Sequence, residues 1–258
     1  MLTAQLTAVE LPQDLHEATK LTVYVGRQQR AGSRPAYQAV VDVLHRHGVA
    51  GATVLLGVDG TAYGTRQRAR FFAANADVPL MVIAVGAGPQ IAAALPELDA
   101  ILPRPLATLE RVRICKRDGQ PIALPRHLPE TDASGLQLWQ KLMVYASEQS
   151  RYDGQTLYIE LLRRLRAAGA AGATSLRGIW GYHGDHTPHG DTFWQLRRRV
   201  PVITVIVDTP ANVHRWFAIV DQLTEQTGLV TSEIVPAYRS HASHAHSGGL
   251  RLAHRWSD

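Results

Sequence analysis

Cysteine is nearly absent: Cys115 stands alone in 258 residues. That excludes a disulfide within the chain, a CxxC redox pair and a thiolate zinc cluster. Long hydrophobic runs are missing too, since the longest, Val78 to Val85, falls far short of the ~20 residues that a membrane span needs. The stretch Met1 to Lys20 carries Glu10, Asp14 and Glu17 and lacks a basic start followed by an apolar run, so it does not read as a secretory signal. A cytoplasmic protein is the expectation. The net charge of +5 is a modest excess. The clusters Arg163-Arg164-Arg166 and Arg197-Arg198-Arg199 lie beside leucines or before an apolar strand. Neither comes with a recognition helix or an aromatic-basic motif, so no nucleic-acid partner is expected.

What the chain does have is an internal repeat. Lys20-Leu-Thr-Val-Tyr24 returns as Lys141-Leu-Met-Val-Tyr145, and the thirteen residues from Gly48 to Gly60 return as Gly169 to Gly181 with eight identities. Both blocks recur at an offset of 121, while Val78-Pro79 returns as Val200-Pro201 at 122. The second copy has gained one residue between them. Self-similarity at this period predicts one structural unit used twice.

Each copy reads as strand, helix, strand, strand, helix, strand. Leu21, Val23 and Val25 alternate as a half-buried strand does, and Tyr37, Val40, Val41 and Leu44 follow at helical spacing. Tyr158, Leu161, Leu162 and Leu165 repeat that spacing, and both helices run into a glycine, Gly48 or Gly169, suited to a left-handed cap. Strands are expected at Thr53–Leu56, Leu80–Val85 and Arg111–Cys115, with a helix over Ile91–Leu102. In the second copy the strands fall at Thr174–Arg177, Val202–Val207 and Ser232–Val235, and the helix at Val213–Leu223. The βαββαβ order makes the fold α+β, two tandem ferredoxin-like domains each with both helices on one sheet face. The other face needs cover from the partner repeat or another chain, because strands as apolar as Leu80–Val85 do not tolerate water on their second side. The expected boundaries are 18–116 and 139–238, a Pro- and Gly-containing linker over 117–138, and a His-rich tail over 239–258 whose composition suggests disorder.

The run Gly-Ala-Thr-x-Leu-x-Gly-[VI]-x-Gly after the first helix, with Lys-Leu-x-Val-Tyr before it and Tyr37 or Tyr158 between them, resembles the domain of unknown function 190 family, a PII-like, ferredoxin-fold group. The usual member has one such domain, and here two are fused. PII proteins are trimeric sensors that bind adenine nucleotides in clefts between subunits, between the base of a long loop after the second strand and a loop before the last strand. The resemblance therefore implies a regulatory small-ligand sensor, three-fold or pseudo-three-fold assembly, and a regulated partner such as a membrane transporter. It places the first loop base at Gly57 and Gly60, or at Gly178 and Gly181. The second loop falls at Thr227-Gly228, with Arg177 or Arg239 as a phosphate partner. Pro103-Arg104-Pro105-Leu106 stands at the matching place in copy one, and the phosphate-binding Gly-Asp-Gly-Lys of the PII segment is missing from both. Copy two is thus the expected ligand-holding copy. The glycines have an equally good purely structural explanation, as strand ends opening into a loop.

Val82 to Ile91 runs from a strand through Gly86-Ala-Gly88 toward a helix, as a dinucleotide-binding turn does, but the repeat has no glycine in Val205 to Val213. A Rossmann site is not expected. The segment Gly181 to Asp191 holds His183, Asp185, His186, His189 and Asp191, and the tail adds His241, His244, His246 and His254. Imidazole and carboxylate suit zinc, nickel or copper, so a metal-binding or metal-tolerance protein using a divalent metal is the alternative function. A polar loop and solvated tail are the commoner explanation, since ligands on mobile chain give no preformed geometry. No nucleophile with a positioned base is visible, and no carboxylate pair recurs in both copies, so catalysis is not expected.

Overall fold

The computed structural model describes residues 17–57, 59–62, 65–68, 78–103, 105–133, 135, 137–183, 188–190, 200–241 and 244–248. In the first repeat the elements are β1 (Glu17–Gly26), α1 (Ala36–Arg46), β2 (Gly51–Leu56), β3 (Pro79–Gly86), α2 (Gly88–Ile101) and β4 (Leu106–Arg117). The second has β5 (Trp139–Ser147), α3 (Leu157–Ala167), β6 (Ala173–His183), β7 (Pro201–Asp208), α4 (Pro210–Leu223) and β8 (Leu229–Val235). The βαββαβ order is thus formed twice. Helical spacing puts Val40, Val41 and Leu44 of α1, and Leu161 and Leu165 of α3, into the core. Gly48 at φ +68° and Gly169 at φ +84° end these helices in the left-handed region, where a Cβ is costly.

Each repeat's sheet runs in the order β2-β3-β1-β4 or its equivalent β6-β7-β5-β8, antiparallel throughout. The edges then meet. β2 pairs with β6 and β4 pairs with β8, closing eight strands into a barrel with the helices outside. The uncovered face of each sheet is therefore buried against the other, inside one chain. Symmetry within the chain is two-fold. A four-stranded sheet has two edges, and the partner repeat pairs with both, along β2 and along the Arg113–Arg117 end of β4.

Three apolar clusters follow from this closure. Leu21, Val23, Val54, Val82 and Leu98 pack under α1 and α2, and Leu142, Val144, Ile206, Trp216 and Val220 under α3 and α4. The third fills the barrel, with Ile83, Val85 and Val112 from repeat one meeting Met143, Tyr145, Ile203 and Leu229 from repeat two. Full burial of one such side chain stabilises by about 1.5–3 kcal/mol.

After β8, Pro236 separates off β9 (Ala237–His241), which pairs with β10 (His244–Gly248) from Ala237↔Gly248 to His241↔His244. Most of this hairpin lies in the segment over 239–258 whose composition suggests disorder, and residues 242–243 and 249–258 lie outside the described residues. Two short strands satisfy each other's backbone groups whatever their side chains are.

Candidate functional site

Strand β6 changes partners halfway along. Ala173–Arg177 pairs with β7, Gly178–His183 pairs with β2, and a register shift lies between Gly178 and Trp180. This explains the glycines. A Cβ on Gly178 would stand 2.7 Å from Pro201 Cγ, one on Gly181 2.2 Å from the Ala52 carbonyl oxygen, and one on Gly57 2.5 Å from the Pro79 carbonyl oxygen. Gly57, Gly178 and Gly181, the expected base of the ligand loop, thus have a packing role of their own: they allow close approach at the repeat seam and at a strand end. Gly60 lies in a short hairpin, Asp59–Ala62 with Thr65–Arg68.

The other expected ligand residues are dispersed. Arg177 donates to Glu148 at 2.9 Å, so its guanidinium already has a carboxylate partner. Thr227 is half-buried in the turn before β8. Gly228 holds φ +97°, a Cβ there would lie 2.9 Å from the Tyr145 carbonyl oxygen, and its own carbonyl accepts from the Asp118 N–H at 2.8 Å. The turn requires this glycine whether or not a ligand binds. Arg239 is in β9, with its side chain outside the described residues. Among the candidate metal ligands, His183 ends β6 and His189 pairs back onto it opposite Gly181, while Asp185, His186 and Asp191 lie outside the described residues. Among the described residues no group of three or more His, Cys, Asp or Glu is placed to hold a metal ion.

The fold does bring one set of neighbours together at the seam. Gly51, Ala52 and Thr53 of β2, Tyr145 and Ala146 of β5, Tyr182 and His183 of β6, Pro201 and Leu229 line a crevice of about 10 Å³, room for one water. It lies at the start of the connection that follows the second strand of repeat two, next to the Thr227-Gly228 turn. The Tyr182 hydroxyl crosses the seam and donates to the Val49 carbonyl at 2.9 Å, and its ring meets His45 edge-on.

A second constellation was not foreseen. Lys20 and Lys141, equivalent in the repeat, face Glu110 and Glu233, which the two ladders place opposite them. Lys20 Nζ lies 2.6 Å from Glu110 and 2.9 Å from Glu233, and Lys141 Nζ lies 2.8 Å from Glu233. The four charges form a chain, each Lys–Glu pair having its twin in the other repeat. Burial pulls the Lys20 ammonium toward neutrality, but the two carboxylates outweigh it and hold its pKa above the usual lysine value. The Tyr145 phenol is driven up, by burial first and by the Glu233 charge second. The lysine signal was legible in the repeat. The carboxylates were not, because Leu109-Glu-Arg and Ser232-Glu-Ile share only the glutamate, at an offset of 123 rather than 121.

Comparison with known proteins agrees on the repeat. Among solved structures, a nitrogen regulatory PII-like protein from Thiomonas intermedia K12, bound to ADP, AMP and bicarbonate, matches at 17% identity over 38% of this chain and 88% of its own, with a TM-score of 0.30. An unknown protein from Galdieria sulphuraria matches at 11% over 85% and 98%, TM-score 0.25. A putative chlorite dismutase matches at 10% over 85% and 95%, TM-score 0.23. Residues 18–114 and 139–237 each match the model of DUF190, described as an uncharacterized ACR. With nearly all of both sheets and all four helices inside those two matches, the chain belongs to the domain of unknown function 190 family, as two tandem repeats of it.

Proposed function

We propose that this chain is a non-catalytic regulatory protein of the PII-like kind, which senses a small ligand at the seam between its two repeats and answers to a regulated protein partner. The crevice bordered by His183, Tyr145 and Leu229 carries this reading. It lies between the base of the long connection after the second strand and the turn before the last strand, and both repeats contribute to it. That is where the PII-like resemblance puts an adenine nucleotide, and it favours the second repeat. The crevice admits a water and no more, so a ligand sits across its mouth, where His183 is a half-buried polar residue of the lining.

Thermal unfolding with ATP, ADP, AMP and cyclic dinucleotides tests this. A ligand at a hundred times its Kd stabilises by about 2.7 kcal/mol, a Tm rise of roughly 5–10 °C for a chain of this size. His183→Ala should reduce the rise without unfolding the protein, because His183 ends a strand at the rim. If none of the nucleotides moves the curve at millimolar concentration, the nucleotide form of the proposal is wrong. Zinc and nickel form a second arm. A metal-dependent rise that disappears when His183, His186 and His189 are replaced together by Ala would favour the metal-binding alternative.

A further inference from the structure

The two repeats are equivalent in sequence and order, yet one corner of the barrel is closed and its twin is open. Tyr145 and Leu229, paired in β5–β8, are 6% and 2% exposed, whereas their counterparts Tyr24 and Leu106, paired in β1–β4, are 39% and 64% exposed. The same holds for the charged pair: the Glu233 side chain is 4% exposed and that of Glu110 is 44% exposed. The cause is visible in the ladders. β4 is long enough to run past Leu229 and Val230, pairing Arg117 with Leu229, Lys116 with Val230, Ile114 with Thr231 and Arg113 with Ser232. The reciprocal strand is interrupted. β8 ends at Val235, Pro236 intervenes, and β9 pairs with β10 instead. Among the described residues no strand pairs with the outward edge of Leu106–Val112.

The observed ladder specifies what belongs there. The equivalence Lys20–Glu110 and Lys141–Glu233 fixes an offset of 123 between β4 and the β8–β9 run. Applied to the four observed pairs, the two-fold operation yields Leu109 opposite Pro236, Thr108 opposite Ala237, Ala107 opposite Arg239 and Leu106 opposite Ser240. β9 is thus the counterpart of the β4 segment that seals the closed corner, and it is joined to β8 by a single residue. Proline lacks an N–H and favours an edge position or a break, which accounts for the departure at Pro236. An open strand edge flanked by exposed leucines is a template for a further strand.

We propose that the Leu106–Val112 edge of β4 is a docking site for this chain's own β9, in register Thr108 to Ala237, and that docking closes the barrel over Tyr24, Leu106 and Glu110. The β8–β4 ladder ends at Arg113–Ser232, three positions short of the proposed pairs and on the same two chain segments, which favours the chain's own strand over a second copy. The proposal is independent of the ligand crevice.

A disulfide trap in the full-length chain tests it. Thr108→Cys with Ala237→Cys should oxidise to a cross-link within one chain about tenfold faster than Thr108→Cys with Ala245→Cys, because only the first pair is brought into bonding range. Cys115 is fully buried and stays out of the reaction. In the unsubstituted chain, the outward amides of Leu106–Val112 should exchange slowly with deuterium, independent of protein concentration. Equal oxidation rates for the two pairs, cross-links chiefly between chains, protection that grows with concentration, or fast exchange along this edge would each overturn the proposal, the second and third pointing to a second copy.

Discussion

At the scale of single residues, contact geometry separates glycines that the chain requires from those it merely has. The Cβ of an alanine at 181 would overlap the Ala52 carbonyl oxygen, whereas Gly172 has open space around it. Gly181→Ala should therefore cost about 2–4 kcal/mol in urea unfolding, from overpacking and backbone strain, while Gly172→Ala changes stability little. Buried ionisable groups predict a second behaviour. Burial pushes the Cys115 thiol from 9.0 up to about 12, so an unfolded chain ionises this thiol where the native chain does not. Its contribution is complete below pH 9 and is lost as pH rises toward 12. Lys20, held above 10.5 by Glu233 and Glu110, acts in the same direction from pH 10.5 upward, because the native state keeps a proton that the unfolded state gives up. Denaturation midpoints should therefore fall progressively above pH 9. Cys115→Ala should delay the onset to about pH 10, where the buried Tyr145 phenol, held above its ordinary 10.0, begins to act in the same direction, and a flat profile to pH 11 would contradict these assignments.

At the scale of elements, periodicity specified the helices and the inner strands well, because an α-helix or strand that buries one face writes its own period into the sequence. Val40, Val41 and Leu44 lie in the core as their spacing demands. Strand lengths were underestimated where a strand leaves its own sheet. The reading ended the second strand of repeat two at Arg177, but β6 runs on to His183. Its second half alternates against residues of the other repeat, which local pattern cannot reveal. Tyr182 shows the consequence: it packs in the core of repeat one and donates to Val49 across the seam. Tyr182→Phe leaves the Val49 carbonyl without this donor and should cost about 1–3 kcal/mol. Equilibrium unfolding of the two proteins measures it, and no change would mean that the bond carries no net stability.

At the scale of the whole molecule, each repeat's sheet covers the apolar face of the other, and β2–β6 and β4–β8 join the sheets at both sides, the second ladder over Arg113–Arg117 and Leu229–Ser232. Neither repeat can be folded as here without its partner. A chain ending in the linker near residue 130, or one beginning there, should aggregate or stay unfolded. The full chain should unfold in one transition by circular dichroism and tryptophan fluorescence alike. Two separated transitions, or a soluble folded half, would show that the barrel interior contributes less than its burial implies. The closed barrel also moves any assembly of several chains to surfaces other than the sheet faces, and light scattering measures the assembly that results.

The sequence by itself determined the duplication, the βαββαβ order, the helix faces and the need for cover on the second face of each sheet, because all of these are written in local period and repetition. The candidate site was only partly legible. The sequence marked out the vicinity of Thr227-Gly228 and of His183, but not that Gly178 and Gly181 sit where β6 crosses to the other repeat. Only the tertiary structure decided that cover comes from within the chain, that the closure is two-fold, and that Lys20, Glu110, Lys141 and Glu233 meet. Those outcomes depend on which sheet edge pairs with which, and strand pairing is set by contacts between residues more than a hundred positions apart, such as Lys20 with Glu233.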